Sequence, residues 1–295
     1  MSETSPALEF SGERFTPECV REIWQEHWHR YAFAYGLANG KRVLDAACGE
    51  GYGSDLLARV ADTVVGMDIS SEAIQHAASR YRRPNLQFER GDVTALKRAR
   101  GEFDLIVSFE TLEHVEAQSA LIEGFTYALN DTGLLLISSP DKHTYSEVLG
   151  TRNEFHVREL YRDELLALLA PHFPHVRLFG QKLLFQSVLW ALEDPGSTGL
   201  DEQASQRAKR SHEAWTSVAD AVMPIEPGLL YAPVYYVAVC SHRPLPATLP
   251  ILSLFGDRQE SVYAHYNHEI RKNMSAGARI AELEAEVERL RSGRS

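Results

Sequence analysis

The sequence contains little of what marks several classes of protein. Its three cysteines, Cys19, Cys48 and Cys240, lie far apart, so a paired zinc or redox motif is excluded and a disulfide framework is not expected. No apolar run is long enough to span a bilayer, and the first residues lack the apolar stretch of a signal peptide. We therefore expect a cytoplasmic protein that reaches the inner membrane, if at all, peripherally through a partner.

The chain also lacks an excess of basic residues. Its 30 Lys and Arg face 41 Asp and Glu, which gives a formal net charge of -11. Because proteins that grip phosphate backbones usually carry a basic face, we expect no nucleic-acid partner. The 44% of hydrophobic and 24% of charged residues are typical of a globular protein with a sizeable core.

Short apolar segments alternate with helical segments from Lys41 onwards. The first five predicted strands are RVLDAAC, TVVGMDIS, NLQFERGD, FDLIVSFE and GLLLISSP, and helical patterns such as SEAIQHAASRY lie between them. This order predicts a parallel sheet covered by helices on both faces. With HVRLFGQKLLF and LLYAPVYYVAVCSH as further strands, we expect an α/β fold with a Rossmann-like, doubly wound, mostly parallel seven-stranded sheet.

Other segments flank this core. Trp24, Trp28, Tyr31 and Tyr35 recur at helical spacing and predict an N-terminal helix. The predicted organisation is a helical cap over residues 1–40, the α/β domain over 41–242 with an inserted helical segment at 193–227, a proline-rich linker at 243–258 and a helical tail at 259–295.

The tail carries Ile280, Leu283, Val287 and Leu290 at spacings of three, four and three. This is the a/d pattern of a coiled coil, but it lasts only about two heptads. Two interpretations stay open: a helix that self-associates, and a solvated terminal helix that packs on its own domain.

The segment VLDAACGEGYGSDLL is the most specific pattern in the chain. A strand ends at Asp45, Gly49 and Gly51 allow a tight turn with close approach of a ligand, and a helix follows. Asp68 ends the second strand, where a carboxylate can accept hydrogen bonds from ribose hydroxyls, and Asp92 ends the third. Each acid alone could equally be a turn residue or a helix N-cap.

Together these motifs resemble the first three motifs of class I S-adenosylmethionine-dependent methyltransferases. The GxGxG after an Asp differs from the GxGxxG of dinucleotide dehydrogenases. The resemblance implies S-adenosyl-L-methionine as cofactor, with Asp45 and the turn Ala47 to Gly51 at its methionine part, Asp68 at its ribose and Asp92 at its adenine amino group. Further implied contacts are Ile69 beside the adenine, the backbone of Val93, and Phe109.

The stretch FETLEHV follows the fourth strand, at the edge where open α/β sheets place their chemistry. If a helix begins there, Glu110, Glu113 and His114 share one face. The arrangement resembles the ExxEH of small-RNA 2′-O-methyltransferases and ubiquinone-pathway O-methyltransferases. That resemblance implies a divalent cation held by these three residues and a downstream histidine, for which His156 is the candidate and His143 its competitor.

The identity of such an ion stays open, because mixed oxygen and nitrogen ligation fits Mg²⁺, Mn²⁺, Fe²⁺ or Zn²⁺. Two other interpretations of the motif also stay open. His114 or His156 could act as a general base without metal. Alternatively, ETLEH is only a helix start, where acidic residues favour the helix dipole.

Two weaker motifs, GERFTPE near the N-terminus and NEFHVREL, resemble a bacterial subset of these enzymes associated with sugar nucleotides and surface polysaccharides. The resemblance implies an O-methyltransferase acting on a hydroxyl of a sugar or surface polysaccharide, able to end chain growth, with Glu110, His114 and His156 as catalytic residues. Candidate polar contacts are Arg14, His29, Arg30 and Arg158.

The tail helix could then serve self-association or a glycosyltransferase partner. Two rival functions remain. One is a small-molecule O-methyltransferase acting on a quinone precursor or a natural-product phenol, with a histidine base. The other is a scaffold that binds the cofactor without catalysis, which the intact Asp45, glycine turn and Asp68 disfavour.

Overall fold

The predicted alternation of strands and helices builds one seven-stranded sheet. A computed structural model describes residues 22–184, 216–217, 226–227, 231–256 and 260–292. The strands of the sheet are β1 (Arg42–Ala46), β2 (Thr63–Asp68), β3 (Leu86–Arg90), β4 (Phe103–Ser108), β5 (Leu129–Pro140), β6 (His175–Gln181) and β7 (Tyr235–Ser241). The helices are α1 (Glu22–Tyr35), α2 (Tyr52–Leu57), α3 (Ser71–Arg80), α4 (Gln118–Ala128), α5 (Arg162–Leu169) and α6 (Ser261–Ser292), with a π-helical turn at His143–Val148.

The strands lie in the order β3-β2-β1-β4-β5-β7-β6. Strands β1 to β5 pair in parallel, and β7 is antiparallel to its neighbours β5 and β6. This topology confirms the predicted Rossmann-like, mostly parallel sheet. The strand order reverses between β1 and β4, and ligands of open α/β sheets bind in the crevice beyond the carboxyl ends of the strands at such a point.

The central strands are buried on both faces. Leu44, Ile106 and Leu136 are each fully buried in β1, β4 and β5. Parallel strands covered on both sides read as continuous apolar runs, which is why these elements were predictable. One apolar cluster joins the sheet to α4 and α5, and a second joins it to α1 and α2.

Helix α1 packs directly on the start of α2, and Gly53 makes this contact fit. A Cβ atom at Gly53 would lie 2.1 Å from ring atoms of Tyr31. The missing side chain therefore lets the Tyr31 ring lie against α2, from where its hydroxyl reaches the end of β1. Helix α1 is placed in this way over the carboxyl ends of the strands.

Several predicted segments fall wholly or partly outside the described residues. These include GERFTPE with Arg14, Cys19 and most of the predicted insertion at 193–227. Within that insertion only Thr216–Ser217 and Glu226–Pro227 are described, and they pair as short antiparallel strands. The helical nature of the insertion and the domain boundaries stay predictions.

Part of the predicted linker at 243–258 packs against α1. Leu249 is buried, the Phe255 ring lies 6.1 Å from that of Trp24, and Ser253 Oγ lies 3.0 Å from His29 Nε2. The proline-rich composition alone did not indicate these contacts. Residues up to Phe255 therefore support α1.

Helix α6 is a single helix of 32 residues, within which Val262 is the buried residue. The side chains of the predicted seam are exposed, with exposed fractions of 55% for Ile280, 44% for Leu283, 44% for Val287 and 64% for Leu290. The seam therefore does not pack on the described part of its own chain. Among the described residues, no helix is both long and apolar enough to cross a membrane.

Candidate active site

The turn after β1 adopts a backbone that favours glycine. Ala47, Gly49 and Gly51 have φ values of 62°, 56° and 90°, all in the left-handed region. A Cβ at Gly51 would also lie 2.7 Å from the Phe88 ring. The glycine at this position is therefore needed both for its backbone conformation and for space.

Asp45 lies at the end of β1 and is almost completely buried. Its Oδ1 accepts a hydrogen bond of 2.9 Å from the Tyr31 hydroxyl, and its Oδ2 accepts one of 2.6 Å from Ser54 Oγ. Burial raises the pKa of Asp45 to about 6, although the two hydrogen bonds oppose that rise. Helical spacing predicted Tyr31 as part of an aromatic stripe but gave no sign of its bond to Asp45.

Asp68 ties the second motif to the first. Its Oδ2 accepts a 2.9 Å bond from the backbone N–H of Gly49, and its Oδ1 accepts a 2.8 Å bond from that of Ser70. The neighbouring Ile69 is 64% exposed. The end of β2 thus offers a carboxylate beside a bare apolar side chain, the pairing that the resemblance assigns to the ribose and adenine.

Asp92 is exposed and caps the short turn that starts at Val93. Its Oδ1 accepts hydrogen bonds from Thr94 N at 2.8 Å and Thr94 Oγ1 at 2.7 Å. This is the N-cap role that the sequence left open, so the contact of Asp92 with adenine stays a prediction. Val93 is buried, and buried Phe109 meets the Tyr31 ring edge-on with centroids 5.1 Å apart.

The ETLEH segment differs from the predicted helix. It forms a single 3₁₀ turn, Leu112–His114, preceded by Glu110 with a left-handed φ of 51°. Glu113, His114 and His156 come together, and each offers a ligand atom within 4.8 Å of the others. Three of the four predicted metal ligands are therefore adjacent.

Glu110 does not belong to this group, because its carboxylate is held elsewhere. Its Oε1 accepts a 2.6 Å hydrogen bond from Ser138 Oγ and lies 3.5 Å from Nη2 of Arg30. The left-handed backbone at Glu110 removes it from the regular i, i+3 relation to Glu113. The predicted convergence of all three residues of the motif was thus too simple.

Glu113 is fully buried, and neither of its carboxylate oxygens has a hydrogen-bond partner among the described residues. Burial and the nearby Glu110 carboxylate raise its pKa well above the usual value. Its backbone carbonyl accepts hydrogen bonds from Val157 N and Arg158 N at 2.8 and 3.0 Å, which tie the loop of His156 to this turn. A buried carboxylate without donors is costly unless a proton or a cation neutralises it.

The two histidines are oriented by partners that the sequence did not reveal. His114 Nδ1 lies 3.0 Å from the carbonyl oxygen of Phe155, which can only accept, so Nδ1 carries the proton. His156 Nδ1 lies 2.6 Å from Oε1 of Glu159 and donates to it in the same way. In the neutral form of each ring Nε2 then carries the lone pair, and that of His114 lies 4.0 Å from Glu113 Oε1. Metal-binding histidines are commonly oriented like this.

The competing candidate, His143, lies outside this group. It is exposed on the π-helical turn, with its Nδ1 2.9 Å from Oε2 of Glu147. Among the predicted polar contacts, Arg158 is exposed and Arg30 is almost completely buried. Arg30 Nε donates to Gln181 Oε1 at 2.8 Å, and its guanidinium lies 4.6 Å from the centre of the Tyr235 ring.

Comparison with known proteins finds methyltransferases among the relatives of this chain. Residues 37–167 match the family described as "Methyltransferase domain". A Mycobacterium tuberculosis protein named "Probable S-adenosylmethionine-dependent methyltransferase" is 36% identical over 172 residues, which cover 57% of this chain and 62% of that protein. The "Ubiquinone biosynthesis O-methyltransferase" of Psychrobacter arcticus is 32% identical over 123 residues, 40% of this chain and 48% of that enzyme. The chain thus spans less than two thirds of the length of these relatives.

Among solved structures, the fold resembles a chain of the complex between the Haloferax volcanii Trm112 methyltransferase activator and a methyltransferase. The TM-score is 0.52 at 17% identity, over 74% of this chain and 90% of that chain. At this identity the likeness concerns the fold alone. Over residues 37–167, less than half of its length, the chain is thus similar to methyltransferase domains, and the relative from Mycobacterium tuberculosis is named as S-adenosylmethionine-dependent.

Proposed function

We propose that this protein transfers the methyl group of S-adenosylmethionine to a hydroxyl of a sugar or surface polysaccharide, with a divalent cation bound by Glu113, His114 and His156. The main support for a metal is the buried Glu113 carboxylate. It has no hydrogen-bond donor among the described residues and lies beside two imidazoles. A cation between them would neutralise the carboxylate and use the Nε2 lone pairs of both rings.

The donor set fits such an ion in chemistry and in size. Metal–ligand distances of about 2.0–2.3 Å place the ligand atoms of one ion up to about 4.6 Å apart. The three atoms lie within 4.8 Å of one another, so a small side-chain adjustment is sufficient. Glu110 is the proposed fourth ligand, reached if its carboxylate rotates away from Ser138. When bound, a divalent cation supplies acidification of a hydroxyl that contacts it.

The chain's own side chains would orient the cofactor and fix the tautomers of the two histidines. Asp45 and Asp68 would orient the cofactor, which carries the methyl group on its sulfonium. Glu159 and the Phe155 carbonyl keep both imidazoles in the tautomer with Nε2 unprotonated. If no metal is bound, the same tautomer makes His114 or His156 a general base for the acceptor hydroxyl.

The sugar acceptor is supported by the resemblance of NEFHVREL and GERFTPE to the polysaccharide-associated subset. The similarity to the Psychrobacter ubiquinone enzyme favours the alternative, O-methylation of a quinone precursor or phenol. That similarity covers 40% of the chain. Since methyltransferases of one fold accept many substrates, we retain the sugar as the main proposal.

The metal proposal is tested by stripping and restoring the ion. Treatment with a chelator, checked by elemental analysis, should abolish methyl transfer to polysaccharide from the source cells and leave cofactor affinity unchanged in calorimetry. Added metal should restore transfer. Glu113→Gln and His156→Ala should lose metal and activity together, whereas the control His143→Ala should keep both. Full activity of the stripped enzyme would replace the metal with a histidine base.

We also infer that α6 joins two copies of the chain in parallel. With Ile280 and Val287 at a and Leu283 and Leu290 at d, the flanking g and e positions carry charges. In a parallel pair in register, Arg279 of one copy faces Glu284 of the other, and Glu286 faces Arg291. Both pairs have opposite sign, and Asn273 falls at an a position, where a polar residue favours one register. A glycosyltransferase partner is the alternative occupant of this seam.

A further inference from the structure

A cleft of about 1,020 Å³ opens beside the candidate metal group. It is formed by the π-helical turn after β5 and by the loop that follows, and His156 belongs to both the cleft and the metal group. Pockets for small ligands measure about 300–1,000 Å³, so this cleft has room for more than a single sugar ring. The residues that matter for its charge are Lys142, Arg152, Glu154, His156, Arg158 and Glu159.

Its lining is cationic although the whole chain carries a net charge of -11. Lys142 lies 4.8 Å from the centre of the Tyr161 ring. Within the described part of the chain, the guanidinium groups of Arg152 and Arg158 have no carboxylate partner. Glu159 accepts hydrogen bonds from His156 and Ser146 but keeps its charge, so three cations face two acids and the lining retains an excess of positive charge.

We propose that this cleft binds the acceptor through an anionic group, a phosphate or carboxylate carried by the saccharide, with Arg152 and Arg158 as its main ligands. The proposal rests on the proposed function, because it assumes that the acceptor enters beside His156. A planar guanidinium donates paired hydrogen bonds to carboxylate or phosphate oxygens, which a neutral sugar hydroxyl cannot match. The anion thus fixes which part of the saccharide lies next to the metal group.

A saccharide explains the cleft better than a nucleic acid does. A polynucleotide needs a basic path for several successive phosphates, and the strong net negative charge of this protein opposes such a polyanion. A few cations in one cleft suit a ligand with one or two anionic groups. The test must therefore also be able to detect binding of RNA.

The test measures binding to the full chain saturated with cofactor. The probes are inorganic phosphate, glucose 6-phosphate, glucuronate and neutral glucose, which separate the anion from the ring, and affinities are measured by calorimetry. We expect the two anionic sugars to bind more tightly than both glucose and inorganic phosphate. Arg152→Gln and Arg158→Gln should each weaken that binding by about fivefold, and the double variant should weaken it further, without strict additivity because both arginines contact the same anion. Arg158→Lys should recover part of the loss.

Arg82→Gln is the matched control, since Arg82 is exposed beyond α3, next to the opposite edge of the sheet. The proposal is wrong if the double variant binds the anionic sugars as tightly as this control does, or if glucose binds as tightly as they do. It is also wrong if inorganic phosphate binds as well as the sugar phosphate. Tighter binding of a single-stranded oligoribonucleotide than of any sugar would overturn the saccharide assignment.

This result is separable from the metal proposal. Metal content and cofactor affinity are measured on the same variants and should not change, because neither arginine belongs to the metal group. If the enzyme proves metal-free, the binding measurement still decides whether the cleft selects an anion. If the metal is present but the anionic sugars do not bind preferentially, this inference alone fails.

Discussion

Two buried carboxylates at the carboxyl ends of the strands have opposite surroundings. Asp45 receives hydrogen bonds from Tyr31 and Ser54, whereas Glu113 has no donor among the described residues. Burial raises the pKa of both. The hydrogen bonds of Asp45 therefore hold its carboxylate in one position, whereas Glu113 needs a proton or a cation to offset its charge.

Asp45 makes the stability of the protein depend on pH in a defined direction. Its pKa is raised from 3.8 to about 6, so between these values the folded protein keeps a proton that the unfolded chain releases. The free energy of unfolding contributed by this group falls as pH rises through that window, by about 3 kcal/mol in total. The free energy of unfolding of Asp45→Asn, relative to that of the native protein, should thus rise by up to about 3 kcal/mol between pH 4 and pH 7. Urea unfolding of both proteins across this range measures it, and a constant difference would contradict it.

The residue-scale features that the sequence revealed are those that lie close together in the chain. The glycine turn, Asp45 and Asp68 each belong to a short local motif, so the sequence predicts them directly as candidates. Ser138 at Glu110 and Tyr31 at Asp45 come from other elements of the fold. No spacing rule predicts such partners, because the sheet brings them together only after folding.

At the scale of elements, the central strands were predictable because burial on both faces makes them continuously apolar. The ETLEH segment was not, because spacing of i, i+3 and i+4 fits both an α-helix and a short 3₁₀ turn. What brings His156 to Glu113 is a pair of backbone hydrogen bonds from Val157 and Arg158 to the Glu113 carbonyl. Such a long-range contact leaves no periodicity in the sequence.

The proline-rich segment after β7 is a second element whose packing could not be predicted from its composition. Prolines and small residues predicted a linker, yet Ser253 and Phe255 pack against α1. Apolar side chains in an irregular segment carry no period, so their burial is invisible in the sequence. An experiment on the tail should therefore leave residues up to Phe255 in place.

At the scale of the whole molecule, the seam of α6 predicts a dimer. Leu283→Glu combined with Val287→Glu places charges into both layers of the seam and should halve the mass measured by light scattering. Cofactor affinity should stay unchanged, because both side chains are exposed on a helix distant in sequence from the glycine turn.

The control for this experiment is Ala281→Glu combined with Ala285→Glu, which adds the same charge at the b and f positions, outside the seam. It should leave the mass unchanged. A native chain that is monomeric, or a seam variant that keeps its dimer, would leave α6 as a solvated helix. A charge reversal, Arg279→Glu, should weaken the pair, and adding Glu284→Arg should restore it only if the helices run in parallel.

The left-handed backbone of Glu110 has a consequence for how this protein can evolve. A non-glycine residue at a φ of 51° costs of order 1–3 kcal/mol, which a glycine at the same place would not incur. The contacts of its carboxylate with Ser138 and Arg30 therefore come with a local cost in folding free energy. If the Glu110 carboxylate serves methyl transfer as proposed, variants selected for heat resistance alone should drift towards glycine at this position and lose turnover, whereas variants selected for both should keep the glutamate.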